Sequence, residues 1–527
     1  AANWQTGSGS SSTIDGVTVT GTPSTGQVIT ATGTAAANWQ TLASGSSQQF
    51  VTPQQYGATG NGTTDDSSAV QSAINALNSA GGGILYFPPS TYLLGNLQPK
   101  NNVHYVGGGV GASILKQSSS NTTMFKVASV GGTISEVSWS DLTFQGNLSN
   151  ASGLAIELWD NVQDVRVQDC EFDSFSWSAV YLRGIQRAWI ERNRCTNVGT
   201  SAETNVIDLE IIVPPDTATN FNALYVRDNY IDTSPTVGID VLSQGAGTTC
   251  RSVISGNIVK NCTYGIAVEA NGTQIDNFIV NNHVLGCSTI GILAENTGSP
   301  PGGGTVTDTN ALKNLVIAHN NIDSLTQSLS TGMEVSMSSA VVQGNIIRAS
   351  GYGMWVGGDA SSTRRAHNMQ ILDNIITTTT GNEAIYATVC DSSHISGNST
   401  AQENSGTNGG RIHLSGCSDM VVNNNQLVAP GSMGIQCSGT ANVKVQSNVV
   451  FDPNENSASG ASAAGIELDG TIGSSHVFNN IIHDTRGTTR TVYGVVASGQ
   501  TGTMYTAGNT SIGCTTNVQN GTAATVG

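Results

Sequence analysis

The chain of 527 residues sets 19 Lys plus Arg against 36 Asp plus Glu, a formal charge of −17, with only 10% of residues charged. So little charge excludes a coiled coil or a charge-driven disordered tail, and an acidic surface poor in bases offers no footprint for nucleic acid or anionic membrane. No run of about 18 apolar residues occurs, so no membrane insertion is expected. The 38% of residues that are hydrophobic come as short β-branched runs rather than helical stripes, which points to an all-β chain.

Residues 1–49 form a low-complexity segment. Ala-Ala-Asn-Trp-Gln-Thr ends at Thr6 and again at Thr41, with Gly-Thr-Pro and Ser-Thr-Gly turn signals between, so the segment reads as a short N-terminal β stalk or linker. Residues 50–136 read as a strand, a glycine-rich turn, a helix and further strands. Asp65 and Asp66 favour the helix start electrostatically. Ala69, Ile74 and Leu77 give the helix an apolar face, and Gly81-Gly82-Gly83 ends it.

This stretch, YGATGNGTTDD followed by AINAL and GGGILYFP, resembles the N-terminal start of the pectate-lyase-superfamily right-handed parallel β-helix proteins. That group includes phage tailspikes and polysaccharide depolymerases. The resemblance covers roughly residues 51–520. It implies a single-stranded parallel β-helix whose open N-terminal edge is capped by the helix. It also implies a polysaccharide partner, a homotrimer of the tailspike type, and an extracellular location: secreted, cell-surface or virion tail.

Residues 137–527 repeat. One half of each repeat is a β-branched residue, two others and Asn, as in Ile190…Asn193, Val226…Asn229 and Ile254…Asn257, continuing to Val477…Asn480 at intervals of 23 to 38 residues. Each interval is about one β-helix coil, with the asparagines stacked at a turn as a hydrogen-bonding ladder. A length that would ordinarily suggest domains of about 150 residues is therefore read as one long solenoid.

The other half of the repeat is Gly-Ile-x-Val-x, a strand with alternate residues inward. Aligning the coils on it produces two outward columns. The first runs Glu157, Tyr181, Asp208, Asp240, Ala267, Leu293, Glu334, Trp355, Tyr386, His413. The second, two residues later, runs Trp159, Arg183, Glu210, Leu242, Glu269, Glu295, Ser336. Asp208, Glu210, Asp240, Glu269, Glu295 and Glu334 thus fall on five neighbouring coils and are the candidate catalytic residues. Stacked acids without an interleaved base raise one another's proton affinity. Glycoside hydrolysis uses two carboxyls, about 5–5.5 Å apart when retaining and about 6.5–9.5 Å apart when inverting. Asp208 with Asp240 is one candidate pair and Glu269 with Glu295 another; the choice of pair and the stereochemical outcome stay open.

Trp159, Tyr181 and Arg183 in front, with Trp355, Tyr386 and His413 behind, are candidate substrate-binding residues, because aromatic faces stack on sugar rings. His413 is also placed to shuttle a proton or hydrogen-bond substrate. Three loops, IVPPDTATNFN, NTGSPPGGGTVTDTN and GDASSTRRAH, leave the sheet beside these residues, and the last brings Arg364, Arg365 and His367. The reading these residues support is a carbohydrate-active enzyme, a glycoside hydrolase with paired carboxylates and no cofactor. The resemblance brings one alternative, a polyuronate lyase or epimerase assisted by Ca²⁺. The other alternative is a non-catalytic glycan-binding adhesin or structural spike.

Nine cysteines without any Cys-x-x-Cys spacing argue against a structural zinc site. They read as small buried hydrophobes, with Cys390 and Cys417 stacked as free thiols in adjacent layers, each eight residues before its ladder asparagine. Asp452-Pro-Asn-Glu-Asn reads as a turn rather than a calcium loop.

Overall fold

The computed structural model describes residues 11–14, 17–20, 27–33, 36–41 and 49–526, except 119–122, 128–132, 151–152, 160, 200–204, 213–220, 233–236, 245–248, 271–273, 296–311, 325–329, 359–364, 380, 404–408, 454–463, 471–472, 486–492, 500–501 and 521–524. Near the N-terminus, strands Ser11–Ile14, Val17–Thr20, Gln27–Gly33 and Ala36–Thr41 form a four-stranded sheet. The second Ala-Ala-Asn-Trp-Gln-Thr is its last strand in sequence; the first copy lies outside the described residues.

From Gln49 onward the strands stack in parallel as a β-helix of three sheets. Each coil gives one strand to each sheet, as Thr249–Ser255, Ile258–Lys260 and Tyr264–Ala270 show. The sheet that begins at Phe125–Val127 and ends at Thr516–Asn520 has 15 strands and carries the two columns. The β-branched residues of the asparagine motif point inward and stack in one row. Ile254, Ile279, Ile317, Val342, Ile371 and Ile395 are successive register partners and essentially inaccessible to solvent. Burial alternates along these strands, as in Phe278–Val280 and Ser474–Phe478, so each strand gives one face to the core.

The asparagines stack as the spacing predicts. Asn345 donates its Nδ2 to Asn374 Oδ1 at 2.9 Å and to the Ile317 carbonyl at 3.0 Å, while its own Oδ1 accepts from Asn320 Nδ2 and from the Asn320 backbone N–H, both at 3.0 Å. The pattern runs from Asn193 to Asn509, one rung beyond the last that the sequence motif identified. The residue before each rung sits in the left-handed region, from Arg192 and Asp373 at φ 54° to Gly397 at φ 71°. That conformation is open mainly to Gly, Asn and Asp and makes the corner sharp.

The glycine of Gly-Ile-x-Val has a packing reason. A Cβ on Gly332 would stand 2.3 Å from Ile347 Cγ2 and 2.6 Å from the Gly353 carbonyl, and Gly238, Gly265, Gly291 and Gly353 are equally crowded. The coils approach too closely along this seam for any side chain.

The helix spans Ser67–Ser79 and buries Val70, Ala73, Ile74 and Leu77. Ala69, expected on the apolar face with Ile74 and Leu77, is half-buried and packs against the edge of the core. Asp66 does not cap the helix with its side chain. It turns back, buried, to accept the backbone N–H groups of Thr59 at 2.7 Å and Gly60 at 3.1 Å. Its role is to pin the glycine-rich turn. All the described cysteines are free, and Sγ of Cys417 accepts the Cys390 backbone N–H at 3.4 Å, the expected stacked arrangement. Asp452 accepts the Thr485 backbone N–H and hydroxyl from the next coil, so it acts as a turn residue. Among the described residues no helix is long and apolar enough to cross a membrane.

Candidate functional site

The strand register reproduces both columns. Tyr181, Asp208, Asp240, Ala267, Leu293, Glu334, Trp355, Tyr386 and His413 are successive partners. Arg183, Glu210, Leu242, Glu269, Glu295 and Ser336 are successive partners beside them. One expectation is corrected: the first column is not uniformly exposed. Asp240, Glu157, Ala267 and Leu293 point away from the core yet are buried; Glu157 is held by Thr123 and Lys126, and an apolar cover lies over the middle of the column. Val237, Tyr264 and Ile290 form that cover with Ala267 and Leu293, an apolar patch wedged against the acids.

Asn205 binds the first two acids together. Its Nδ2 lies 2.7 Å from Asp240 Oδ2 and 3.3 Å from Asp208 Oδ2, while Asp240 Oδ1 is buried without a partner. Burial, with the charges of Glu210 and Glu269, pushes Asp208 up to about 8. Burial beside Asp208 and Glu269 raises Asp240 well above the carboxylate range. Two neighbouring acids in this setting titrate as a unit and hold a proton at neutral pH. Burial and Glu295 push Glu269 up to about 7. Glu295 is raised by burial, and Glu334 by burial and then Glu295. Glu210 has a different setting: it accepts the Tyr181 hydroxyl at 3.0 Å and pairs with Arg183 at 3.3 Å.

In front, Arg183 lies 5.2 Å and Lys126 6.0 Å from the Trp159 ring, and Tyr181 meets it edge-on at 6.1 Å. Trp159 is thus flanked by cations and is less free to stack on a sugar than its place in the column suggests. Lys126, which the column alignment missed, precedes Glu157 in the register and pairs with it at 3.0 Å. A cavity of about 400 Å³ opens beside Lys126, between Asn96 and Lys100, and not at the acids. Behind, Tyr352 stacks on Tyr386 at 5.5 Å and tilts against Trp355 at 5.5 Å, while Trp355 Nε1 donates to Thr388 at 3.2 Å and His413 meets Tyr386 at 5.0 Å. Sequence alignment missed Asn205, Tyr352 and Glu383. All three stand three residues before the first column, and a third column drawn there would have shown them.

Two of the three wall loops, and Arg364, lie outside the described residues. Arg365 is ion-paired with Asp391, and His367 lies 3.6 Å from the same carboxylate.

Residues 50–293 match the family model described as rhamnogalacturonase A/epimerase, pectate lyase-like. Over those residues, just under half of the chain, the β-helix is similar to the pectate-lyase-like family. The tailspike protein of E. coli bacteriophage HK620, solved in complex with a pentasaccharide, shares the fold at a TM-score of 0.51 and 11% identity, over 85% of this chain and 78% of that one. Among curated proteins, mannuronan C5-epimerase AlgE1 of Azotobacter vinelandii is 36% identical over 119 residues, 20% of this chain and 8% of the epimerase. The capsule KN3-specific Depolymerase 1 of Klebsiella phage KN3-1 is 30% identical over 169 residues, 28% of this chain and 21% of the depolymerase. The chain thus spans less than a quarter of either relative's length.

Among the described residues no three His, Cys, Asp or Glu side chains converge as a cation cage, and the acids spread along the sheet instead. The raised acids make a pH prediction. A carboxyl whose proton affinity is higher in the folded state favours folding at low pH, and that contribution is lost as pH rises from the unfolded value near 4 through the folded one. Melting temperature should therefore fall between pH 5 and pH 8.5, the window set by Glu269 and Asp208. A flat profile by calorimetry across that range would show that the acids are solvated.

Proposed function

We propose that the protein is a polysaccharide depolymerase that hydrolyses a glycan laid along the 15-stranded sheet. The observation that carries this reading is the contrast between the proton-holding Asp208–Asp240 pair and Glu210, two residues along the same strand and bonded to Tyr181 and Arg183. A proton-holding carboxyl beside a second, hydrogen-bonded carboxyl supplies the acid and the base that glycoside hydrolysis needs. Asp208, the more exposed member of the pair, donates its proton to the glycosidic oxygen, with Asp240 as a local proton reserve. Glu210 takes the proton of the attacking water. Positions i and i+2 on one strand face stand about 6.5–7 Å apart, within the range of inverting enzymes. Glu269, Glu295 and Glu334 continue the groove toward the Trp355–Tyr386 wall, which holds the next sugars. The phage depolymerase and the glycan-bound tailspike among similar proteins support the substrate class.

A second reading, elimination or epimerisation of a uronate, is favoured by the epimerase relative. Its cations would be Arg183 and Lys126, both already ion-paired. A glycan screen with product masses separates the readings. Hydrolysis adds a water, elimination yields an ultraviolet-absorbing unsaturated uronate, and epimerisation leaves the mass unchanged; the first outcome is expected, and either of the others overturns it. An extracellular or virion-tail location and a homotrimer belong to the same proposal. Ile258, Ile346 and Ile375, 38 to 52% exposed on the sheet that follows the asparagine turns, provide surface such an assembly would cover.

A further inference from the structure

A second constellation lies on the same sheet beyond Glu334. His413 Nδ1 stands 3.2 Å from Glu383 Oε1, and His413 Nε2 stands 3.2 Å from Ser438 Oγ. A carboxylate only accepts, so the ring gives its Nδ1 proton to Glu383 and leaves Nε2 to accept from the Ser438 hydroxyl. Nucleophile, base and orienting acid thus stand in sequence, each within hydrogen-bond reach of the next.

The surroundings fit the same roles. Glu383 is buried and also ion-paired with the buried Arg411. Burial pushes the Glu383 carboxyl up, but the His413 hydrogen bond and the Arg411 charge reverse this and leave it below the usual range. Arg411 lies farther from the ring, 3.5 Å from Nδ1. Ser438 is only half-buried, on the outward side of its strand, with Ser415 and Asp469 as register neighbours. Gln436, the partner of His413, donates its amide to Glu467 at 3.0 Å, and a side-chain amide carries a second N–H for a developing oxyanion. The Tyr352–Trp355–Tyr386 wall leads to the imidazole.

We propose that Ser438, His413 and Glu383 form an esterase triad that removes short O-acyl groups, O-acetyl in particular, from sugars seated on this wall. Ser438 Oγ attacks the acyl carbonyl carbon as His413 Nε2 takes its proton. The tetrahedral intermediate collapses, the ester bond to the sugar oxygen breaks, and that oxygen leaves with the proton from His413. Water then attacks the acyl-serine, losing a proton to His413, which returns it to Ser438 as the carboxylic acid departs. The sum is ester plus water to alcohol plus acid. The small Ser415 side chain beside Ser438 suits a short acyl group. That the alcohol is a sugar rests on the glycan reading above; the acyl transfer does not.

The test uses the full chain with p-nitrophenyl acetate and an O-acetylated xylan, reading acetate release, beside a separate assay of chain cleavage. The parent should release acetate from both, and a fluorophosphonate probe should label Ser438, located by peptide mass. Ser438→Ala should lose at least about 10²-fold of acetate release and all labelling, with chain cleavage unchanged. Absence of acetate release and labelling in the parent, or release that survives in Ser438→Ala, overturns the triad. Acetate release by a chain that cleaves no glycan would sink the depolymerase reading and leave the triad standing.

Discussion

Replacing Asp208 by Asn should reduce glycan cleavage about 10³-fold while leaving glycan binding within a few-fold of the parent. The amide has the shape of the protonated acid and keeps a partner for Asn205, which lies 3.3 Å from Asp208, but it has no proton to give the leaving oxygen. Glu210→Gln should cost a similar factor by removing the base, with a different side effect: Arg183 loses its ion-pair partner and becomes free over the Trp159 ring. Reducing-end release and equilibrium binding measured side by side separate chemistry from recognition. Variants at Asp208 and Glu210 that both bind and cleave like the parent would take the chemistry away from these two acids, and a parent that binds glycan without cleaving it would leave a glycan-binding adhesin or spike as the better reading. Asp208→Asn carries a second signature. It cannot ionise, so its melting temperature should fall less than the parent's between pH 5 and pH 8.5, the reverse of what loss of a surface ion pair would do.

The largest stability effect is expected in the asparagine ladder. Asn345→Ala removes the acceptor of two bonds from Asn320 and the donor to the Ile317 carbonyl, all of them buried. An unmet buried polar group costs about 1–3 kcal/mol, so the loss should be about 3–5 kcal/mol. Asn509, the last rung and only partly buried, donates to the Val477 carbonyl and to Thr506. Asn509→Ala should cost about 1 kcal/mol, because water replaces much of what is lost. A solenoid transmits such a defect mainly to its neighbouring coils, so hydrogen exchange should rise first around Asn320 and Asn374. Equal melting temperatures for the two variants would refute a ladder that bears load in proportion to burial.

Much of the fold was legible because a β-helix is local in sequence. Each coil repeats the same inward residues, so Ile254…Asn257 and Gly265-Ile266-x-Val268 announce strand, turn and seam without knowledge of distant contacts. The column alignment held for the same reason: one coil advances the register by one strand, so Tyr181, Asp208 and Asp240 could be placed side by side by counting. Asp66 stands at the helix start as expected, and its further role of pinning the glycine turn was not legible because both settings call for the same acid.

The sequence by itself determined the coil, the ladder and the clustering of six carboxylates on one face, since all three follow from a periodic chain with a fixed strand spacing. Only the tertiary structure decided which of those acids are covered. Burial of Asp240 depends on Asn205 and on the Val237–Tyr264–Ile290 cover, side chains that lie on other coils or off the motif. The link from Glu383 through His413 to Ser438 spans three coils and crosses between columns, so no single repeat contains it. Proton affinity and nucleophile activation depend on distances of about 3 Å between side chains from different coils, and a repeat pattern specifies backbone neighbours, not those contacts.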